Sequence, residues 1–405
     1  MDSIKVINRN NEIVDLDFNR IKNRINKLID MEPKLRISSD IVAIKTISYL
    51  SELINTSDID NISANIAANM ITHHIDYDYL ASRIMISNLH KNTKDCYYET
   101  VKTINENMDN ILMDKLIKFA EVNIDFIKET IDYKKDYTFK YFGILVLIKS
   151  YLLKKDDNVF ERPQHMYMRV AIGLHLDQID TDGSTSEDVL EDIKKMYNLI
   201  SEGYYTHATP TLFNSGTNLS ALSSCFLLEA EDSVDGIYNT LRKCAFISKF
   251  SGGIGVHVSQ IRAKGSKIRT TGGVSEGLVK MLKVYDTMTN HMSQGGGKRK
   301  GSIAIYFELW HADVMELLDC ILPMSAGDES LLCRNLFFAA WIDDLFFERL
   351  EKAWTDRSND YYWSLFCPNI SKNLVNLYGD DFKQLYEKYE SKKMYIKQIN
   401  ILDIW

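Results

Sequence analysis

The stretch Leu-Ser-Ser-Cys-Phe-Leu-Leu at residues 222–228 opens the part of the chain that decides the fold. It is the first of four short apolar runs, and the other three cover residues 253–258, 303–307 and 336–342. Glycine-rich turns and helical patterns lie between the runs. Because this alternation is typical of an α/β sheet or barrel, we predict a strand in each run.

The chain divides by pattern into three predicted domains. Residues 1–91 predict a small helical module behind a short hairpin. Residues 92–203 predict mostly helix, because apolar and charged residues mix at helical spacing. Residues 204–405 contain the four apolar runs and most of the glycine-rich turns. The predicted fold class is therefore α/β, with two helical regions ahead of the sheet.

Two helices of the N-terminal module are predicted from caps and spacing. Asp17 is a candidate cap for a helix with Ile21 and Ile25 on one face. A second helix is predicted to begin near Ser39 and to extend through Ile54, because apolar residues recur along it at helical spacing.

Composition excludes several classes of protein. The net charge of the 405 residues is −8, which gives no general attraction for nucleic acid. Hydrophobic residues make up 45% of the chain, as in globular rather than disordered proteins. The longest apolar candidate, residues 143–153, includes Lys149 and is far shorter than the roughly 18 residues that a membrane span needs. Because the N-terminus also has no signal-peptide pattern, we expect a cytoplasmic protein without a membrane partner.

The cysteines show no metal-binding pattern. The six residues form neither a Cys-x-x-Cys motif nor a Cys/His cluster with zinc spacing. Reduced thiols and no metal held by the chain are therefore expected. The six cysteines are at positions 96, 225, 244, 320, 333 and 367.

Two glycine clusters are candidate ligand loops. Residues 251–255 bring three glycines together, and residues 294–301 combine glycine with three cations. Glycine lets backbone N–H groups approach a ligand, and backbone amides with Lys and Arg suit phosphate groups. A solvated basic turn remains an equal alternative for residues 294–301.

A series of motifs in a fixed order resembles the large, catalytic subunit of class I ribonucleotide reductase. The resemblance runs from residue 4 to the last residue. It implies an ATP-cone, a helical region and the first half of a ten-stranded α/β barrel. The motifs lie at residues 161–170, 206–214, 222–228, 252–256, 261–263, 298–299, 305–306, 310–313 and 363–369.

The resemblance implies an activity site in the ATP-cone, where ATP and dATP compete. Residues 8–11 are Asn-Arg-Asn-Asn where the family usually has Lys-Arg-Asp-Gly, so one phosphate-binding cation is missing. The missing cation predicts weaker control of the protein by ATP and dATP. The alternative is a folded cone that no longer senses nucleotide. The positions that match the nucleotide pocket are Asn8, Arg9, Arg20, Thr56, Asp60 and Lys91.

The resemblance also implies a specificity site for deoxynucleoside triphosphates, which like ATP are bound with Mg²⁺. In the family this site lies at a homodimer interface, built here from the helix after Asp232 and a helix near residues 278–291. Asp232 would contact the deoxyribose hydroxyl, and Lys249 and Arg262 would hold phosphates. The matching positions are Asp232, Ser233, Val234, Lys249, Arg262, Arg269 and Thr270.

The third implied site takes the ribonucleoside diphosphate substrate. Thr209, Ser224, Gly252 and Gly253 match positions that contact it. Cys225 matches one of two thiols that supply electrons and then form a disulfide. Replacing a 2′-hydroxyl by hydrogen needs two electrons and a proton source, which two thiols provide.

The segment Asn-Leu-Cys-x-Glu, which carries the family's radical cysteine, is absent from the 405 residues. Cys320, Cys333 and Cys367 stand in the wrong sequence context to replace that cysteine. Half a barrel would also leave strand edges and an inner apolar face uncovered. We therefore expect the chain to be inactive alone and to need a C-terminal large-subunit piece. A radical-generating small subunit and thioredoxin or glutaredoxin are the other implied partners.

Two alternatives remain open. The first is a nucleotide-binding regulatory or interaction protein of the same family that performs no chemistry. The second is a truncated product, which the departures Asn8, Lys280 and Leu309 favour. Retention of Cys225 favours the enzyme component, since a pure binding module has no need of this thiol.

Overall fold

The computed structural model describes residues 5–50, 53–219, 221–250, 252–294, 299–300, 302–321, 332–356 and 361–405. Its internal contacts divide the chain into two compact units, residues 1–222 and 223–405. In the described ranges, no helix combines the length and the apolar character needed to cross a bilayer.

The first unit begins with a three-stranded sheet and four helices. Strands β1 and β2 form the predicted hairpin, and β1 also pairs in parallel with β3. The predicted cap is present, because the Asp17 carboxylate accepts a hydrogen bond from the backbone N–H of Asn19. The elements are β1 (Lys5–Ile7), β2 (Ile13–Asp15), α1 (Phe18–Ile29), α2 (Ser39–Ser48), β3 (Leu53–Asn55), α3 (Thr56–Asn69) and α4 (Asp76–Asn92).

The prediction of a single helix through Ile54 is wrong. Helix α2 ends at Ser48, and residues 53–55 form β3. The buried side of α2 carries Val42 and Ala43, whereas Ile44 is 60% exposed. The apolar spacing that suggested a longer helix does not follow the buried face, and pairing with β1 gives residues 53–55 the backbone hydrogen bonds of a sheet.

The rest of the first unit is mainly helical, as predicted for residues 92–203. Pro163 begins α9 at a position where its missing N–H costs nothing. The elements are α5 (Tyr97–Asn107), α6 (Asp114–Val122), α7 (Ile124–Thr130), a 3₁₀ turn (Tyr133–Thr138), α8 (Tyr141–Val146), a π-helical turn (Leu147–Tyr151), β4 (Lys154–Lys155), β5 (Asn158–Val159), α9 (Pro163–Gly173), a 3₁₀ turn (Leu176–Gln178), α10 (Glu187–Ser201) and α11 (Thr209–Asn214).

A buried ion pair lies in the core of these helices. Arg169 on α9 is 1% exposed and binds Glu161 through two contacts of 2.6 and 3.2 Å. Its remaining N–H groups donate to the carbonyl oxygens of Ser215 and Leu212, at 2.7 and 3.0 Å. Glu161 also accepts from the backbone N–H of Leu153 at 2.9 Å. The ion pair as a whole therefore connects α9 with Leu153 and with residues 212–215.

The second unit is built on a four-stranded parallel sheet in the order β11-β10-β7-β6. Each of its strands overlaps one of the four predicted apolar runs. The elements are β6 (Cys225–Glu229), α12 (Val234–Lys249), β7 (Gly253–His257), α13 (Gly277–His291), β8 (Ser293–Gln294), β9 (Arg299–Lys300), β10 (Ile303–Glu308), α14 (Val314–Ile321), β11 (Leu336–Trp341), α15 (Asp344–Asp356), β12 (Tyr362–Leu365), a 3₁₀ turn (Leu374–Asn376), α16 (Gly379–Ser391), β13 (Lys397–Asn400) and α17 (Ile401–Ile404).

The two faces of this sheet differ. Ile254, Val256 and Ile305 are buried in the core beside the helices. On the opposite face, Leu227 is 82% and Phe337 66% exposed. We call this second side the open face; it carries the outward-facing residues of β6, β7, β10 and β11, from Cys225 to Trp341. An uncovered apolar face is what half a barrel predicts.

Candidate nucleotide and thiol sites

The six residues predicted for the activity site line one cavity of the N-terminal module. The cavity has a volume of about 180 Å³ and lies between the hairpin, α1 and α3. Its lining includes Asn8, Arg9, Arg20, Thr56, Asp60 and Lys91, together with Arg24.

Three cations converge on one buried carboxylate in this cavity. Asp60 is 2% exposed and pairs with Arg9 at 3.2 Å, with Lys91 at 3.5 Å and with Arg24. The Nε and Nη2 atoms of Arg24 are buried without a hydrogen-bond partner in the described part of the chain. The whole lining holds four cations against the three carboxylates of Asp15, Asp17 and Asp60. One positive charge in excess and the unused donors of Arg24 suit a phosphate group.

Arg24 was missed by the sequence reasoning, although a signal was present. It lies four residues after Arg20 on α1, so the two side chains share one side of the helix. Burial first, and then repulsion by Arg9, lowers the pKa of Arg24 to about 10. Burial, followed by repulsion from Arg24 and Arg9, lowers the pKa of Lys91 to about 8.

Asn8 stabilises the hairpin turn rather than supplying the cation usual in the family. Its Oδ1 accepts from the backbone N–H groups of Asn10 and Glu12, each at 2.9 Å, and its Nδ2 donates to the Glu12 carboxylate at 2.8 Å. Asn11 in this turn has a φ of 62°, which asparagine tolerates better than most residues. The substitution keeps the turn and removes one positive charge from the cavity.

The specificity-site residues fall into two groups. Asp232 accepts from Arg262 Nε at 2.8 Å and from the Arg262 backbone N–H at 3.2 Å. Ser233 caps α12 by accepting from the N–H of Gly236, and Val234 is the exposed first residue of that helix. These residues form one group at the start of α12.

Lys249 is far from that group within one chain. It is the last residue of α12, and fifteen helical steps from Val234 correspond to about 22 Å. Arg269 and Thr270 are exposed in a turn that Ile268 and Gly273 close. The structure therefore brings Asp232 and Arg262 together but does not bring Lys249 to them.

Cys225 begins β6 on the open face. It is exposed, and its backbone neighbour across the parallel ladder is Gly253. The Ser224 hydroxyl donates to Cys225 Sγ at 3.5 Å, and the Ser224 carbonyl accepts from the Gly253 N–H at 2.6 Å. The thiol is thus held at the amino ends of two adjacent strands.

The glycines beside Cys225 are needed for close packing. A Cβ on Gly252 would lie 2.5 Å from the Ile247 side chain and 2.8 Å from the Phe226 ring. A Cβ on Gly253 would lie 3.3 Å from the Ser224 carbonyl oxygen. Thr209 belongs to the first unit, where its hydroxyl hydrogen-bonds with the Tyr151 hydroxyl at 3.0 Å. Four of the five predicted substrate-side residues therefore lie around the start of β6 and β7.

A histidine between two glutamates lies at the other end of the same strands, and sequence reasoning missed it. His257 Nε2 is 3.0 Å from both oxygens of Glu308, and its Nδ1 is 3.2 Å from Glu229. Burial opposes the imidazolium, but hydrogen bonds to Glu308 and then Glu229 outweigh it and raise the pKa of His257. The contribution of this charge to stability is complete below about pH 6.5 and is lost as the pH rises through the folded-state pKa.

Asp343 follows β11 and is also affected by this cluster. Burial first, and then repulsion by Glu308 and Asp344, raises the pKa of Asp343 to about 7. The folded chain therefore holds this proton more tightly than the unfolded chain, in which the pKa of an aspartate is 3.8. The resulting loss of stability accumulates as the pH rises from about 4 to 7 and is complete above pH 7.

We expect Asp343→Asn to stabilise the second unit at pH 7.5 by about 1–4 kcal/mol, and by less at pH 5. Asparagine keeps the shape of the side chain but cannot ionise. The five tryptophans all lie at or after position 310, so tryptophan fluorescence during urea unfolding reports on this unit. Asp344→Asn, at the exposed neighbouring position, is the matched control; equal gains in both variants at both pH values would contradict the prediction.

The candidate phosphate loop at residues 294–301 lies largely outside the described residues, so its two interpretations stay open. Across the part of the chain that is described, no group of three or more His, Cys, Asp or Glu residues could hold a metal ion.

Three family models match the chain. They are the ATP cone domain at residues 4–92, the ribonucleotide reductase all-alpha domain at residues 137–220 and the ribonucleotide reductase barrel domain at residues 223–405. The class defined by this order has an ATP cone domain ahead of the all-alpha and barrel domains of ribonucleotide reductase.

Named relatives identify the family more closely. The chain is 42% identical to the ribonucleoside-diphosphate reductase large subunit of Caenorhabditis elegans, over 100% of this chain and 50% of the relative. The proteins of the same name from Plasmodium falciparum and Arabidopsis thaliana are 40% and 41% identical, each over 99% of this chain and 48% of the relative. The chain belongs to the ribonucleoside-diphosphate reductase large-subunit family and corresponds to its N-terminal part. It spans about half the length of the curated relatives it matches, and the predicted resemblance and fold class are confirmed.

Proposed function

We propose that the chain is the nucleotide-binding and thiol-supplying part of a ribonucleoside-diphosphate reductase, which converts ribonucleoside diphosphates to deoxyribonucleotides for DNA synthesis in the cytoplasm. The observation that carries the proposal is the position of Cys225. It is an exposed thiol at the start of a parallel strand, and its neighbour across the strand ladder is Gly253. A structural cysteine is ordinarily buried, as Cys244 is, and burial raises the pKa of the Cys244 thiol.

The proposed chemistry requires more than this thiol. Two thiols that become a disulfide release two electrons and two protons, which balance the exchange of a 2′-hydroxyl for hydrogen and the loss of water. Cys225 would be one of the two. A C-terminal large-subunit piece that covers the open face would supply the second thiol and the radical cysteine. The radical itself would come from a small subunit, and thioredoxin or glutaredoxin would reduce the disulfide.

The cone is proposed to bind ATP or dATP, each carrying its own Mg²⁺. Arg9, Arg24 and Lys91 would hold the phosphates in place of part of their present contact with Asp60. The unpartnered nitrogens of Arg24 are the feature that fits an anionic ligand best. Loss of the lysine at position 8 would weaken this binding without abolishing it.

Nucleotide binding to the cone at pH 8 is expected to be accompanied by uptake of up to about half a proton. About half of the Lys91 ammonium groups are charged at that pH in the free protein, and a polyphosphate favours the charged form. Calorimetric titration with dATP in two buffers of different ionisation enthalpy measures the uptake. Lys91→Arg, which keeps the charge at every pH, should bind with smaller uptake; an unchanged uptake would contradict the assignment.

We propose that the specificity site is completed by a second copy of the chain. Two α12 helices packed antiparallel would bring Lys249 of one copy towards Asp232 of the other, which accounts for their separation within one chain. Val234, Tyr238 and Phe246 are exposed along this helix and would be covered. Sedimentation with dTTP should therefore show dimers of the wild type and fewer of Lys249→Glu, with Lys243→Glu on the same helix as control. Equal dimer fractions in all three proteins would contradict the proposal.

The decisive experiment reconstitutes the reaction. The chain is mixed with the C-terminal piece of a related large subunit, a small subunit, thioredoxin and its reducing system, and deoxycytidine diphosphate formed from cytidine diphosphate is measured. We expect product from the complete mixture and none when the C-terminal piece is omitted. Product from the chain without that piece would overturn the proposal. A complete mixture that binds dATP but forms no product would favour the regulatory alternative.

A further inference from the structure

Two cysteines away from the candidate substrate site are brought together in the second unit. Cys320 lies at the end of α14, and Cys333 lies just before β11. Both are buried, and their thiols hydrogen-bond to each other. The backbone N–H of Cys333 is 3.5 Å from the carbonyl oxygen of Cys320. Such a contact is compatible with the Cα separation of about 4.4–6.8 Å at which disulfides form.

Helix α13 holds the Cys333 side of the pair in place. Lys283 Nζ donates to the carbonyl oxygen of Leu332 at 2.6 Å. Asp286 accepts from the backbone N–H of Asn335 at 2.7 Å. Cys333 therefore lies between two anchored residues. Little backbone movement is needed to bring its sulfur to that of Cys320.

The hydrogen bond makes the two thiols chemically different. The S–H of Cys320 donates to Cys333 Sγ, which raises the pKa of Cys320 and lowers that of Cys333. Burial and Asp286 oppose the effect on Cys333, and Lys283 reinforces it. Because the thiolate is the nucleophile in disulfide exchange, Cys333 is the sulfur that attacks first.

A small disulfide has a route to this pair. A cavity of about 380 Å³ is lined by both cysteines and by the exposed residue Arg334. Lys283 adds a positive charge that acts on Cys333, and Asp286, 4.0 Å from Lys283, opposes it. The described residues that line the cavity include the cation Arg334 and no carboxylate, which favours an anionic reagent. Glutathione disulfide is such a reagent, because it carries four carboxylates against two ammonium groups.

We propose that Cys320 and Cys333 are a thiol–disulfide modification site that reacts with small anionic disulfides of the glutathione class. The Cys333 thiolate attacks one sulfur of the disulfide, and the first glutathione thiolate leaves. Cys320 then loses its proton and attacks Cys333 Sγ, and the second glutathione thiolate leaves. The two protein thiols are oxidised by two electrons and one glutathione disulfide is reduced to two glutathione thiols. The product links the end of α14 to the segment before β11.

The test uses the full chain equilibrated in buffers of increasing oxidised-to-reduced glutathione ratio. Samples are quenched with acid, alkylated and analysed by peptide mass spectrometry. We expect a peptide that links Cys320 to Cys333, which grows with the ratio and disappears when reduced glutathione is restored. Cys333→Ser should lose the linked peptide, and Cys244→Ser, which removes another buried thiol of the same unit, should keep it.

Two results would overturn the proposal. One is that Cys320 and Cys333 both remain free thiols in buffers that modify the exposed Cys225. The other is that either residue is found linked to a different cysteine or carries a stable glutathione adduct. Both are read from the wild-type chain, so the test holds even where Cys333→Ser does not fold. Neither depends on reductase activity, so failure here is distinct from failure of the proposed function.

Discussion

Replacement of Arg169 by methionine is expected to lower the free energy of unfolding of the first unit by about 3–5 kcal/mol. The guanidinium is 1% exposed, and methionine would leave the Glu161 carboxylate buried without its partner. The carbonyl oxygens of Ser215 and Leu212 would also lose their donors. Urea unfolding followed by far-UV circular dichroism measures the loss, because the first unit is mostly helical.

The exposed ion pair between Lys34 and Asp30, also in the first unit, provides the control. Its N–O distance of 2.7 Å is similar, but the two side chains are 67% and 59% exposed. Surface pairs of this kind contribute little, so Lys34→Met should unfold nearly as the wild type does. A loss in Arg169→Met no larger than that in Lys34→Met would show that burial does not set the strength of the inner pair.

Replacement of Cys225 by serine is expected to lower deoxynucleotide formation in the complete reductase mixture by about 10³-fold or more. A hydroxyl group fills the same space but cannot form a disulfide, so the two electrons are not delivered. Binding of dATP to the cone should be unchanged, because the cone lies in the first unit and Cys225 in the second.

Cys96→Ser is the matched control for this second prediction. Cys96 is also partly accessible to solvent but immediately precedes α5 in the first unit, so its replacement should leave turnover unchanged. If Cys225→Ser retains more than about a tenth of wild-type turnover, the Cys225 thiol does not supply electrons to the reaction.

The parts of the fold that follow local rules could be predicted from the sequence. Asp17 caps α1 because its short carboxylate can accept from a backbone N–H that has no partner within the first helical turn. The strand from Cys225 to Glu229 was predictable because a fully parallel sheet produces continuous apolar runs between turns. The cone cavity was located through its motif positions, all six of which line it.

The features that could not be predicted depend on contacts between distant residues. Residues 53–55 form a strand only because β1 is available to pair with them. His257 meets Glu308 across two neighbouring strands, and neither residue has a local signature of that contact. The separation of Lys249 from Asp232 becomes visible only when the helix between them is measured.

The open face of the sheet has a practical consequence for anyone who produces this polypeptide. The exposed apolar side chains on this face of the β-sheet favour self-association in concentrated solution. They include Leu227, Phe337 and Trp341. We expect less aggregation when a complementary polypeptide is co-expressed, because that polypeptide then covers the open face during synthesis rather than after lysis.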